Sequence, residues 1–199
     1  MMHNQKNKNH LLILAIFGMS VIPFLIAWGL KEYPQLLNGQ TNNGQLITPP
    51  QTTERTDLTG FDQFSIDNMS ELNGHWLLVN VIPNGECNEA CIEALHKTKQ
   101  IRLMLSKELT RTRRIVLVLK EVTPKTASKW WEDDQTLLRV KPNDAIAKKI
   151  AALRQGNIPD GMLLLMDPLG NLMMQYEPGF DPYNVKSDLM HLLRISQIG

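Results

Sequence analysis

The stretch 74–91, Gly74-His75-Trp76-Leu77-Leu78-Val79-Asn80-Val81-Ile82-Pro83-Asn84-Gly85-Glu86-Cys87-Asn88-Glu89-Ala90-Cys91, carries the signals that decide the fold. Trp76 to Ile82 is a short, nearly continuous apolar run closed by the turn-forming Pro83-Asn84-Gly85. Such a run predicts a strand buried on both faces rather than one with a solvated side. A helical pattern follows directly, with Cys91, Leu95, Ile101, Leu105 and Leu109 among its apolar positions, ending near Thr110. Both cysteines of the chain therefore fall where a buried strand hands over to a helix, Cys87 near the helix start and Cys91 one turn further on.

Working outward, Arg114 to Lys120 (RIVLVLK) predicts a second buried strand, and Pro124 to about Asp133 a short helix. Asn143-Asp144 forms a plausible N-cap for a helix over Ala145 to Arg154. Met162 to Met166 (MLLLM) is a third apolar run. The turn signal Asp167-Pro168-Leu169-Gly170-Asn171 returns the chain as a hairpin strand, Leu172 to Tyr176. Asn184 to about Ser196 is an amphipathic helix whose apolar set is Val185, Leu189, Leu192 and Leu193. Strands separated by helices imply parallel crossovers, whereas the last two are joined by a tight turn. The expected class is α/β, a mixed sheet between helical layers.

The N-terminal part obeys different rules. Leu11 to Leu30 (LLILAIFGMSVIPFLIAWGL) contains no charge, and about twenty residues at roughly 1.5 Å each span a bilayer's hydrocarbon core. A secretory signal core is usually only about 7–15 residues, so the run reads as an uncleaved anchor. Pro23 is tolerated in a membrane helix, and Trp28 and Tyr33 suit an interface. Lys6 and Lys8 precede the run, Lys31 is offset by Glu32, and the next basic residue is Arg55. The positive-inside rule then leaves residues 1–10 in the cytoplasm and sends the rest across; in a bacterium that places the anchor in the inner membrane and the domain in the periplasm. Residues 31–57, rich in Gln, Asn, Thr, Gly and Pro, read as a flexible linker, leaving 58–199 as the folded domain. With 21 basic and 20 acidic residues, and no basic stripe, the chain offers no footprint for nucleic acid.

Three chemistries compete for the cysteine pair. Residues four apart on a helix share a face, and their Cα atoms would lie about 6 Å apart, within disulfide range. A redox dithiol is one reading, because a helix N-terminus favours a thiolate. Against strong activation, Glu86, Glu89 and Glu93 place negative charge nearby. Two thiolates on one face could instead hold Cu(I), for which soft sulfur is selective. The third reading is a structural staple, which an exported compartment permits.

Gly74-His75-Trp76-Leu77-Leu78-Val79, a loop, and then Cys-x-x-x-Cys at a helix start resemble the SCO/SenC family of thioredoxin-like proteins. The Asp167–Leu172 turn resembles that family's strand–turn–strand segment. The likeness is closer to a divergent branch, small SCO-like transmembrane proteins associated with cytochrome oxidase, through Arg102-Leu103-Met104-Leu105, Met173-Met174 and Asp188 to Ser196. It implies a thioredoxin-like fold and a membrane-anchored factor for cytochrome c oxidase assembly, an assembly factor or metallochaperone rather than an enzyme. It further implies that Cys87 and Cys91 bind Cu(I) transiently, or exchange disulfides with an oxidase subunit or other cuproprotein. The family's third copper ligand is a histidine about eight residues before the Asp-Pro turn. Here that region reads Asn157-Ile158-Pro159-Asp160-Gly161, without histidine.

Substitutes for that ligand are few. His96 follows Cys91 by five positions and so faces elsewhere on the helix; His75 begins the strand whose far end leads to the cysteines; His191 reads as a surface residue of the last helix. Met162 is in the right segment and its thioether suits Cu(I), although methionine in an apolar strand is more often packing. Trp130-Trp131 could form a partner-binding patch with one ring buried, and Glu132-Asp133-Asp134 reads as a solvated loop before a cation site. No glycine-rich phosphate loop or nucleophile elbow is present. Two readings stay open beside the assembly factor: an interaction protein stapled by a Cys87–Cys91 disulfide, and a general thiol–disulfide oxidoreductase, which the lack of Cys-x-x-Cys disfavours.

Overall fold

The computed structural model describes residues 3–33, 42–131 and 134–196, and among these residues seven strands form one mixed sheet. The chain divides into two units, meeting between Thr41 and Asn42. The first holds one helix, α1 (His3–Glu32). Its segment Leu12–Glu32 is long and apolar enough to cross a membrane, with a mean hydropathy of 2.3 and none of it buried within the protein. Leu14, Phe17, Met19 and Phe24 are all exposed.

In the second unit the elements are β1 (Gln45–Thr52), β2 (Leu58–Gly60), α2 (Gln63–Asp67), β3 (Trp76–Ile82) and α3 (Glu89–Met104). They continue with β4 (Thr112–Val118), α4 (Pro124–Trp131), β5 (Leu137–Pro142) and α5 (Asp144–Leu153). The chain closes with β6 (Leu163–Met166), β7 (Asn171–Tyr176) and α6 (Pro182–Ile195). The strand order is β1-β7-β6-β3-β4-β5-β2. β3, β4 and β5 are parallel, with Val79 opposite Ile115 and Ile115 opposite Leu138, while β6 runs antiparallel to β3. Every residue of β3 is buried, as its uninterrupted apolar run requires.

Alternation along the strands sorts the core into two faces. Leu77, Val79, Val81, Ile115, Leu117 and Leu164 point to one side, where they meet Ile146 and Ile150 of α5. On the other side, Trp76, Leu78, Leu163 and Leu165 pack with Ile101 of α3 and with Val185 and Leu189 of α6. Further along the same face, Ile82, Val116 and Val118 pack with Cys91 and Leu95 of α3 and with Ala127 and Trp131 of α4. The mixed α/β sheet between helical layers is therefore as expected.

Three strands were not. The proposed linker over 31–57 does not extend that far: Gln45–Thr52 is edge strand β1, antiparallel to β7, and Arg55–Asp57 is a 3₁₀ turn. Residues 34–41 of that linker lie outside the described residues. An edge strand bonds on one side only, so Pro49 and Pro50 are tolerated, and the register shifts between Leu46 and Gln51, where they lie. β2 and β5 were also missed. β5 carries Arg139 at its centre, which reads as polar, yet that side chain is buried, paired with Asp62 at 2.8 Å and stacked over Phe64. α3 ends at Met104 rather than near Thr110, with a 3₁₀ turn completing the segment, and α6 begins at Pro182, where Asp181 caps it.

The entry to the second unit is clamped by the last helix. Asp188, buried at 4% exposure, accepts hydrogen bonds from Asn43 N, Asn43 Nδ2, Gly44 N and the Tyr176 hydroxyl, all between 2.8 and 3.0 Å. Burial first, and then the Asp188 carboxylate, push the Tyr176 hydroxyl well above its ordinary pKa, so it stays protonated and donates. A Cβ on Gly44 would lie 2.5 Å from the Tyr176 ring, so only glycine permits this approach. Asp188→Ala leaves these donors unanswered and should lower the unfolding free energy by about 3 kcal/mol, read by urea denaturation monitored through tryptophan fluorescence.

Candidate functional site

β3 ends at Ile82 and the chain turns through 83–88 into α3. Cys87 lies in that turn and Cys91 in the first turn of the helix; they form a disulfide with a Cα–Cα distance of 5.2 Å. Asn88 caps the helix, its Oδ1 accepting from Cys91 N at 3.1 Å, which answers one of the N–H groups a helix start leaves open. The same side chain donates through Nδ2 to Asp160 Oδ2 at 2.9 Å. Asp160-Gly161 thus rests on the turn that carries the cysteines. Gly161 has φ +83, and a Cβ there would stand 2.7 Å from the Ala90 carbonyl oxygen. Only glycine lets the loop before β6 approach so closely.

The two sulfurs are not equivalent. Cys91 is 3% exposed and packs among Phe61, Ile82, Val116, Val118 and Trp131. Cys87 is half-buried at the rim of that cluster, along with Val122 and Trp130. The pair can therefore present one sulfur outward while the other stays within the core. Of the nearby acids, Glu86 and Glu89 are exposed, and Glu93 pairs with Lys97 at 2.7 Å.

Beneath α3 lies a polar network that the sequence reading missed. Arg114, 1% exposed, donates to the Leu95 carbonyl at 2.9 Å and to Thr98 Oγ1, and its Nη1 pairs with Asp134 at 2.8 Å. Asn80, the one polar residue in the β3 run, donates to Thr98 Oγ1 at 3.1 Å. A charged residue opening an apolar run, as Arg114 does, was the signal available for it. Its partner Asp134 was read as part of a solvated loop, with a cation site as the weaker alternative.

The family model for transmembrane-like, thioredoxin-like C-terminal domains matches residues 76–196, more than half of the chain. The chain belongs to this family. Among solved structures, apo Sco1 from Thermus thermophilus in solution aligns with a TM-score of 0.54 at 15% identity, over 78% of this chain and 99% of that one. Yeast Sco1 with copper bound aligns with a TM-score of 0.51 at 15% identity, over 63% of this chain and 82% of that one. At these identities the likeness concerns the fold, which is thioredoxin-like. No curated protein matches the chain. Membership in a transmembrane-like family and the apolar α1 together fit a single-pass membrane anchor.

The donor set does not complete a copper site. Met162, fully buried, belongs to the core on the α5 side of the sheet, whereas Cys91 belongs to the α3 side. Strand alternation sets this, because Met162, Leu164 and Met166 share one face and Leu163 and Leu165 the other. His96 and His191 are exposed on α3 and α6, and His75 precedes β3 at its opposite end. Among the described residues no group of three His, Cys, Asp or Glu could hold a metal. Among the described residues, the sequence-predicted site residues brought together are Cys87 and Cys91, which offer two sulfurs. Of the tryptophan pair, Trp131 is buried and Trp130 half-buried, their rings edge-to-face at 5.7 Å.

Burial alone would raise the Asp134 carboxyl. Hydrogen bonds from Thr136 and Arg114, and the Arg114 charge, outweigh it and bring it down to about 2. A depressed carboxylate contributes stability that is complete above its unfolded value, near 4, and is lost as pH falls through 2. Discounted for partial exposure, this share amounts to roughly 1 kcal/mol. Asp134→Asn should therefore be less stable at pH 7 and show a flatter loss of stability between pH 4 and 2, read by urea unfolding across that window.

Proposed function

We propose that this chain is a membrane-anchored accessory factor for the assembly of a cuproprotein, with cytochrome c oxidase as the intended client, and that it acts by thiol–disulfide exchange through Cys87 and Cys91. In a bacterium its helix would sit in the inner membrane, with the N-terminus cytoplasmic and the thioredoxin-like domain periplasmic. The observation that carries the reading is the asymmetry of the pair: Cys87 half-buried at the rim, Cys91 3% exposed and capped by Asn88. That arrangement suits an outer attacking thiol and an inner resolving one.

The chemistry balances as follows. In the reduced chain the Cys87 thiolate attacks one sulfur of a partner disulfide. A mixed disulfide forms, and the partner's other sulfur leaves as a thiolate that takes a proton from water. The Cys91 sulfur, on losing its proton, then attacks Cys87 Sγ. The Cys87–Cys91 disulfide closes and the partner's second thiol departs. Two electrons pass to the partner, whose thiols become competent to take copper. A dithiol reductase must return the pair to its reduced form. Confinement to the membrane raises the effective concentration of the chain near a membrane-bound client.

The burial of Cys91 within the core favours a second reading, a disulfide that serves only as a staple. Equilibration of the full chain in glutathione and dithiothreitol buffers separates the two. Exchange predicts a potential between about −270 and −120 mV together with reduction of a peptide disulfide; a potential below about −300 mV and no exchange would establish the staple. On the exchange reading, anaerobic Cu(I) added to the reduced chain should be lost to a competing chelator. Stoichiometric, chelator-resistant Cu(I) that disappears in Cys87→Ser/Cys91→Ser would replace exchange with copper delivery.

A further inference from the structure

A groove runs beside the disulfide, between α3 and α4. Its lining is mixed: Ile92, Leu95, Trp130 and Trp131 are apolar, and Arg114 and Asp134 are polar. Leu95 and Trp131 belong to the same core cluster as Cys91, and Trp130 and Cys87 both border it, so the groove lies near the disulfide. At about 120 Å³ it falls below the roughly 300–1,000 Å³ of small-molecule sites and has room for a single side chain.

Among the described residues the exposed charges at the rim are basic. Lys99 on α3 and Lys129 on α4, both exposed, line the groove beside His96. Among the described residues no carboxylate pairs with either lysine. Among the described residues the one acid lining the groove, Asp134, is already engaged by Arg114 and Thr136. Arg102, on the following turns of α3, adds to the positive field felt by Arg114. The acidic residues Glu86 and Glu89 lie just before and at the start of α3. The exposed acids thus lie at the start of α3, and the exposed lysines line the groove further along.

From this geometry we infer that the α3–α4 groove is the client-docking surface, and that it takes an acidic peptide segment carrying an apolar side chain next to the reactive sulfur. The apolar side chain packs against Trp130, while carboxylates on its flanks meet Lys99 and Lys129. Attraction across such a rim speeds encounter and sets orientation, and it weakens as salt is added. The inference rests on the exchange reading for its purpose, but docking can be measured without any chemistry.

The test uses the full chain in a non-ionic detergent and two short fluorescent peptides without cysteine, one acidic and one basic, each with a central leucine. Fluorescence anisotropy on the oxidised chain should show the acidic peptide binding about tenfold more tightly at low ionic strength, with the preference fading toward about 1 M salt. Lys99→Glu/Lys129→Glu, which alters two exposed side chains, should abolish or invert that preference. Equal binding of the two peptides, preference for the basic one, or a preference unchanged in the double variant would overturn the docking surface. Versions of the peptides containing a disulfide then report on exchange. The reduced chain should reduce the acidic version faster, and the double variant should lose this advantage while reducing uncharged hydroxyethyl disulfide at the original rate. If no disulfide is reduced at all, the exchange reading falls, and the anisotropy result alone decides the docking surface.

Discussion

The parallel pairing of β3 with β4 is the constraint on which the rest depends. Two strands buried on both faces cannot be joined by a hairpin when they run the same way. The chain must leave the end of β3, cross one face of the sheet and return, and α3 is that crossover. Its first turn is consequently delivered to the C-terminal ends of the central strands, and the cysteines come with it. The loop before β6 reaches the same edge because β6 pairs on the other side of β3. Contact between Gly161 and Ala90 follows from that topology, as does the bond between Asn88 and Asp160.

The parts of the fold legible in the sequence are those where burial alone sets the pattern. β3 occupies the residues its apolar run outlines, Trp76 to Ile82, and the Asp167–Asn171 turn joins β6 to β7 as its residues require. The strands that escaped notice rely on partners far away in the chain. β1 looks like a tether because its two prolines are costly anywhere except at a sheet edge, and its place is held by Ile47 in the core and by Asp188 from the last helix. β5 looks broken by Arg139, whose charge is answered by Asp62 seventy-seven positions earlier. Local patterning carries no trace of such long-range compensation.

The candidate site divides in the same way. Its two sulfurs were evident from their spacing and from their place at a strand-to-helix junction. What surrounds them was not, because Asp160, Arg114 and Asp134 acquire their roles only when distant segments converge. Met162 shows the opposite case. The alternation of MLLLM was readable and assigns Met162 to the face shared with Leu164, yet which face met the cysteines depended on the crossover. A thioether in the right segment ended on the wrong side of the sheet. The two sulfurs differ in burial, and on the exchange reading the less buried one, Cys87, is the one that would meet a client.

That inequality is open to direct measurement. The full chain would be reduced, exposed briefly to limiting iodoacetamide near neutral pH, quenched, digested, and quantified at each cysteine by mass spectrometry. The account predicts that Cys87 is alkylated at least about tenfold faster than Cys91, because accessibility and thiolate character govern the rate and Cys91 lies within the core. Equal rates, or faster labelling of Cys91, would contradict the division of the pair into an outer attacking and an inner resolving thiol.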